Sequence, residues 1–361
     1  MALSSRLKIM LSRWLPFEEP LVAVEEQIDE LKRLAVQEHL DLNDKIASLE
    51  EHHRAVTTAR FARLTPWEKV LLARHPKRPY TLDYAGALCS QWFEMHGDRA
   101  FGDDGAIVAG FGRFRNRPVA IVGNQKGRDL KERQERNFGS PSPEGFRKAE
   151  RVMQLAARFN RPIISLIDTP GAACTPQAEE RGISEAIAHS QWMMSTLPVP
   201  IIVVIIGEGC SGGAIATALG DRVLMLEYAY YSVISPEGCA SILYRDAPEE
   251  NKTRVTQDLK ITAPDALKLG VVEEVIREPL GGAHRNLSEA ARNVGDVIEK
   301  YLQQLEGLSP EELVEQRYRR FRGFGDWENK IASSGIQLVS ESDEPAPLNG
   351  VAHLAGEKAP D

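Results

Sequence analysis

The sequence predicts an α/β protein built on a mostly parallel β-sheet. Two segments follow one plan. PIISLIDTPGA at 162–172 leads into the helical AEERGISEAIAHSQWMM, and PIIVVIIGEGCSGGAIATALG at 200–220 repeats strand, glycine-bearing turn and helix. Their strands are apolar without alternation, as expected of strands buried on both faces of a helix-covered sheet. A third segment, RVLMLEYAYYSVISPEGCAS at 222–241, adds a strand region with its own glycine turn.

The other elements follow in chain order. Residues 1–20 read as an N-terminal extension; its first seventeen carry Arg6, Lys8 and Arg13 and no acid, a weak likeness to a targeting peptide or amphipathic surface helix, with a frayed helical start as the simpler reading. From 21 to 60, Val24, Ile28, Leu31 and Ala35, then Leu42, Ile46 and Leu49, recur at helical spacing, which predicts a helical hairpin or bent helix suited to subunit assembly. RHPKRPYTLDY breaks that pattern with prolines. Within the main domain, 61–305, the period changes from about Gly105, where AIVAGFGRF and VAIVGNQKG around RNRP read as a hairpin entering the sheet. A helix follows, capped by Ser142 with Pro143 in its first turn and Phe146, Ala149, Val152, Met153, Ala156 and Phe159 on its inner face. TAPDALKLGVVEEVI predicts a capped helix stopped by Gly270, then a strand. Residues 306–332 read as a C-terminal helix and 333–361 as a polar, disordered tail.

Composition excludes several classes. A net charge of −8 offers no chain-wide basic surface for nucleic acid or anionic lipid. The longest apolar run, IIVVII at 201–206, is far short of the roughly 20 residues that cross a bilayer. Cys89, Cys174, Cys210 and Cys239 form no paired motif, so neither a disulfide framework nor a metal site is expected, and a cytoplasmic location fits.

The glycines of GEGCSGGA cost folding free energy, about 1 kcal/mol each. At the junction of a buried strand and a helix they have a chemical use, because backbone N–H groups there lack intrahelical partners. Without Cβ atoms, Gly212 and Gly213 let a carbonyl or enolate oxygen approach those groups, which makes an oxyanion hole. The plainer alternative is close packing of helix on strand. Gly171 and Ala172, in the first turn, line a substrate channel or support their helix. The same letters contain a G-x-S-x-G pattern with Ser211 as nucleophile, the mark of a serine hydrolase, which then needs a downstream His; His284 and His353 are available. Glu179, Glu180 and Glu208 would serve an acyl-CoA hydratase, and a noncatalytic scaffold assembled through 21–60 is a further reading.

FEEPLVAVEEQIDELKRL, RHPKRPYTLDY, NQKGRDLKERQERNFGSPSPEGFRKAERVMQLAARF, IDTPGA, AEERGISEAIA, GEGCSGGA, YYSVISPEGCASIL and EPLGGAHRN, in that order, resemble the carboxyltransferase alpha subunit of bacterial-type multisubunit acetyl-CoA carboxylase, from about residue 17 to 321. The resemblance implies a crotonase-like fold of repeated strand-strand-helix units. It also implies an α2β2 assembly with a beta subunit that carries zinc, a biotin carboxyl carrier protein that presents carboxybiotin, a biotin carboxylase, and acetyl-CoA as acceptor, giving malonyl-CoA. On that likeness Gly212 and Gly213 face the ureido oxygen of carboxybiotin. The chain has no M-K-M lysine, no P-loop and no cysteine quartet, in keeping with one component of a larger assembly.

KGRDLKERQER at 126–136 is a basic cluster that would receive coenzyme A phosphates or an acidic carrier face, with Lys126 and Arg128 nearest the strand end; a solvated helix face is the alternative. The chain departs from the family at Ala173, Cys174, Thr175, Pro176 and Gln177, where an aromatic, a proline and further glycines are usual, and at Cys210, where Gly is common.

Overall fold

The computed structural model describes residues 14–325. The basic stretch at 1–13, His353 and the tail from 333 lie outside them. The chain opens with helices α1 (Glu19–Gln37) and α2 (Asn43–Phe61). They run antiparallel, since Lys32 pairs with Glu50 and Glu25 with His53. Ile28 is buried and the rest of the predicted apolar stripe is half-buried, while Val36 remains 75% exposed. Helices α3 (Pro66–Ala73) and α4 (Thr81–Leu88) lead into the sheet.

Strands β1 (Cys89–Glu94), β2 (Ile107–Phe114) and β3 (Arg117–Asn124) are antiparallel neighbours. The predicted hairpin is β2–β3, and its turn uses the left-handed backbone of Arg115 and Asn116. After a short helix α5 (Leu130–Glu135), α6 (Pro143–Arg158) packs on β2 and β3. Two details differ from the sequence reading. Ser142 holds the N-cap position, but its side chain caps nothing; its own N–H donates to Asp104 Oδ2 instead. Phe159 falls just past the helix and is 59% exposed, because α6 has already ended.

The parallel part follows: β4 (Ile163–Thr169), helices α7 (Pro176–Glu180) and α8 (Ile183–Thr196), β5 (Ile201–Cys210), the short helix α9 (Ser211–Ile215), β6 (Arg222–Leu226) and β7 (Tyr230–Ser232). The single helix expected after β4 is split because Gly182 takes a left-handed conformation at φ 79°, where a side chain is disfavoured. Helices α10 (Pro236–Tyr244), α11 (Glu249–Asp258) and α12 (Ala263–Lys268), strand β8 (Glu274–Ile276), and helices α13 (Leu287–Leu305) and α14 (Pro310–Arg322) complete the chain. Sheet order is β1-β2-β3-β4-β5-β6-β8, with β7 extending the edge of β5, and every pairing from β3 onward is parallel. All ten residues of β5 are buried, which explains its unbroken apolar run. α14 is pinned by the buried Arg317, which bonds Asp221 and the carbonyls of Met194, Leu197 and Val199.

Candidate active site at two strand ends

The turns after β4 and β5 meet. A Cβ on Gly213 would lie 2.6 Å from Gly171 C and 2.7 Å from Ala172 N, so the two backbones are in direct contact and only glycine fits there. Beside this contact is a cleft of about 380 Å³ lined by Gly171, Ala172, Cys174, Glu179, Ser211 and Gly212, among others. Gly212 is half-exposed; Gly213 lies buried behind it. As second and third residues of α9, both have N–H groups without an intrahelical acceptor. The Gly171 N–H is already bonded to Thr169 Oγ1 at 3.1 Å. The structure therefore brings Gly212, Gly171 and Ala172 to one cleft, and gives Gly213 the close-approach role.

Lys126 is engaged inside the fold, and Arg128 is engaged at its surface. Lys126 Nζ donates to Asp168 Oδ1 at 2.6 Å and to Glu208 Oε1 at 2.8 Å. Arg128 donates to the carbonyls of Pro76 and Arg78 and to Asp83, and its guanidinium lies 4.0 Å above the Tyr80 ring. Arg133 and Arg136 likewise bond backbone carbonyls of Gly127 and Gly105. Most of the basic cluster thus neutralises or braces this chain rather than standing open to a phosphate.

Behind the turns is a buried ionic network that the sequence reading did not foresee. Glu208 Oε2 accepts from Arg74 Nε at 2.7 Å and Tyr230 Oη at 2.6 Å, and Arg74 also pairs with Glu237 at 2.5 Å. Burial opposes charge on Lys126, but Asp168 and Glu208 outweigh it and push the ammonium up to about 12. Burial alone would raise Glu208, yet Lys126 and Arg74 hold it well below the usual carboxylate range, while burial leaves Asp168 raised. Arg74, Lys126, Glu208 and Glu237 line a second, larger cavity of about 760 Å³, together with Phe17, Trp67, Tyr80 and other residues. It shares Pro170 and Ser235 with the cleft. A signal for two of these groups was present: Asp168 and Glu208 are single acids inside otherwise apolar strand text. Nothing local marks Arg74.

The rival readings find less. Ser211 sits at the strand–helix junction with φ 54° and is exposed, as a nucleophile would be. Among the described residues no histidine lines the cleft, and the His284 side chain is buried elsewhere, bonded to Glu18 at 3.0 Å and stacked 3.9 Å from His75. For a hydratase, Glu179 is the one carboxylate of the three that lines the cleft. Burial pushes the Cys210 thiol up to about 11, with Glu208 adding to it, so it is not an activated nucleophile.

Glu18, His75 and His284 place ligand-type atoms within 4.8 Å of one another. Their bonding does not suit a metal. His75 Nδ1 accepts the Lys77 N–H at 3.1 Å, so its proton sits on Nε2, toward Glu18, whereas a ligating imidazole presents a lone pair and donates its other N–H. Arg285 takes the same carboxylate at 3.1 Å. The trio, with Arg285, is a hydrogen-bonded clamp that holds residues 15–18 to the body.

The fold is that of the carboxyltransferases. Transcarboxylase 12S, in a structure with methylmalonyl-coenzyme A bound, superposes with TM-score 0.50 at 24% identity over 61% of this chain and 41% of that one. A Pseudomonas malonate decarboxylase hetero-dimer superposes with TM-score 0.53 at 14% identity over 67% and 95%. Sequence comparison goes further: residues 14–325 match the family described as acetyl co-enzyme A carboxylase carboxyltransferase-like. The acetyl-coenzyme A carboxylase carboxyl transferase subunit alpha of Azoarcus sp. (strain BH72) is 48% identical over 316 residues, 88% of this chain and 98% of that protein. That of Geobacter metallireducens is 49% identical, with 85% and 96% covered. The chain belongs to this family of carboxyltransferase alpha subunits.

Proposed function

We propose that the chain is the alpha subunit of an acetyl-CoA carboxylase carboxyltransferase, which moves a carboxyl group from carboxybiotin to acetyl-CoA to form malonyl-CoA. The observation that carries this is Gly212. It lines a cleft at a strand–helix junction, has no side chain to block approach, and has an N–H outside the helical ladder. That arrangement suits an oxygen on which negative charge develops, and one such donor is worth about 10²–10³ in rate. When present, carboxybiotin supplies the carboxyl group as its ureido oxygen takes up charge. In this chain, Gly212 donates to that oxygen, Gly213 holds Gly212 in place against the first turn, and Gly171 with Ala172 forms the opposite wall.

The acceptor's thioester oxygen then needs donors from a second subunit, in keeping with an α2β2 assembly. We assign the zinc to that beta subunit, and to the wider assembly the biotin carboxyl carrier and biotin carboxylase. The hairpin at 21–60 is the assembly segment, supported by exposed Val36 and Leu40. No helix among the described residues is long and apolar enough to cross a membrane. With four free cysteines as well, a cytoplasmic setting is the one we adopt.

The test is reconstitution of the complex with the beta subunit and biotinylated carrier, following malonyl-CoA with and without this chain. Carboxyl transfer that persists without the chain would end the proposal. Labelling of Ser211 by a fluorophosphonate would favour the hydrolase instead.

A further inference from the structure

Beside the two turns, the β4–β5 ladder loses step. Ile167 pairs with Ile205 but Thr169 pairs with Gly209, so β5 takes four steps where β4 takes two. Three side chains absorb the irregularity. Asp168 Oδ1 accepts the Glu208 N–H at 2.8 Å, and Gly207 leaves room for it, since a Cβ there would lie 2.4 Å from that oxygen. The Ile206 carbonyl, within the bulge, accepts from Arg78 Nε at 2.6 Å. From just beyond β3, Lys126 reaches across both strands to Asp168 and Glu208.

The other oxygen of Glu208 is held by Arg74 and Tyr230, whereas Asp168 Oδ2 has no hydrogen-bond partner among the described residues. Lys126 is therefore the hydrogen-bonded cation of Asp168. It lines the larger cavity and not the cleft, so it has no place against the reacting oxygen. Both turns begin within three residues of the atoms it bridges, and Gly213 rests on the Gly171–Ala172 backbone.

We propose that Lys126 is a positioning residue for carboxyl transfer: by bridging Asp168 and Glu208 across the bulge it sets the separation of the Gly171 and Gly212 turns. The role rests on the carboxyltransferase reading of the cleft. Without the ammonium, two buried carboxylates face each other, and their repulsion drives the strand ends apart.

The experiment compares Lys126→Met and Lys126→Met/Asp168→Asn, each in the full complex with the beta subunit and carrier. Lys126→Met lowers kcat about 100-fold while KM for acetyl-CoA stays within about threefold, the signature of misplaced rather than missing contacts. The double variant, relieved of the repulsion, recovers about tenfold of that loss. Amide exchange in peptides spanning 168–173 and 208–214 quickens in Lys126→Met while the β2–β3 hairpin is unchanged.

A kcat within about threefold of wild type overturns the proposal, as does a slow variant with unaltered exchange in the turns or a loss confined to KM, which would make Lys126 a substrate contact. If Lys126→Met does not assemble, the double variant carries the test: assembly with kcat about tenfold below wild type supports the proposal, and a loss of about 100-fold or more, with no relief from removing the second charge, overturns it. Should the wild-type complex transfer no carboxyl group, the functional reading falls, and the exchange measurement still decides for or against Lys126.

Discussion

Gly213→Ala is the sharpest perturbation of the two-turn contact. Its φ is not in the left-handed region, so alanine is acceptable to the local backbone and the effect is purely steric. The new methyl would sit 2.6 Å from Gly171 C, where ordinary contact begins at 3.4 Å, so the turns must part by about 0.8 Å. Backbone lies on both sides, and no flexible side chain can swing away. Overpacking of this kind costs about 1–3 kcal/mol of stability. A shift near 1 Å in a catalytic donor costs about 10²-fold in rate, or roughly 2.7 kcal/mol of barrier. Malonyl-CoA formation by the reconstituted complex, read beside its thermal midpoint, separates the two losses. Gly212→Ala separates substrate approach from packing: its methyl meets only Ile187 Cδ1 within the protein, at 3.1 Å, and that side-chain end can move, so stability is kept while the methyl stands in the path of the oxygen. We expect both variants to lose about 100-fold in kcat, Gly213→Ala with a lowered thermal midpoint and Gly212→Ala without one. A Gly213→Ala complex with normal kcat, or with an unchanged thermal midpoint, refutes the steric argument.

Three further outcomes are expected. Arg128→Ala loses about 1 kcal/mol of stability by chemical denaturation, through its stack on Tyr80 and its partly exposed pair with Asp83, while KM for acetyl-CoA does not rise. Ser211→Gly retains carboxyl transfer and shifts stability by no more than about 1 kcal/mol, since relief of the left-handed strain offsets glycine's entropy; loss of all activity would revive the hydrolase. Acid weakens the clamp in two overlapping steps: His75, lowered from 6.5 to about 3 by burial and then by His284, is charged more readily when unfolded, so stability falls as pH drops from 6.5 toward 3. Glu18 is lowered from 4.5 to about 2, against burial, mainly by His284, so its contribution is full above 4.5 and lost toward 2; thermal midpoints across this range, with Glu18→Gln lacking the lower step, check the sign.

Much of the fold was legible because it is written in short-range patterns. Unbroken apolar runs marked β4 and β5 as buried strands, the RNRP interruption marked a hairpin, and Gly270 marked the end of a helix. The glycines of GEGCSGGA pointed to a strand end that borders a cleft. Where local text misled, a distant group had changed the local outcome. Ser142 looked like a cap, but its N–H goes to Asp104, thirty-eight positions away. The basic run at 126–136 looked like an anion receiver, but Lys126, Arg128 and Arg136 are met by acids and carbonyls from elsewhere in the chain.

The sequence by itself thus determined the element types, the parallel sheet and the location of the candidate oxyanion donors, because periodicity and backbone freedom are properties of neighbouring residues. Only the tertiary structure decided which glycine opens to the cleft and which is locked behind it. It alone showed Lys126 closed between Asp168 and Glu208, 42 and 82 positions away. Charge pairing and backbone contact depend on distance in space, which strand order and a two-residue slip in the ladder set, and neither is encoded in any single stretch of residues.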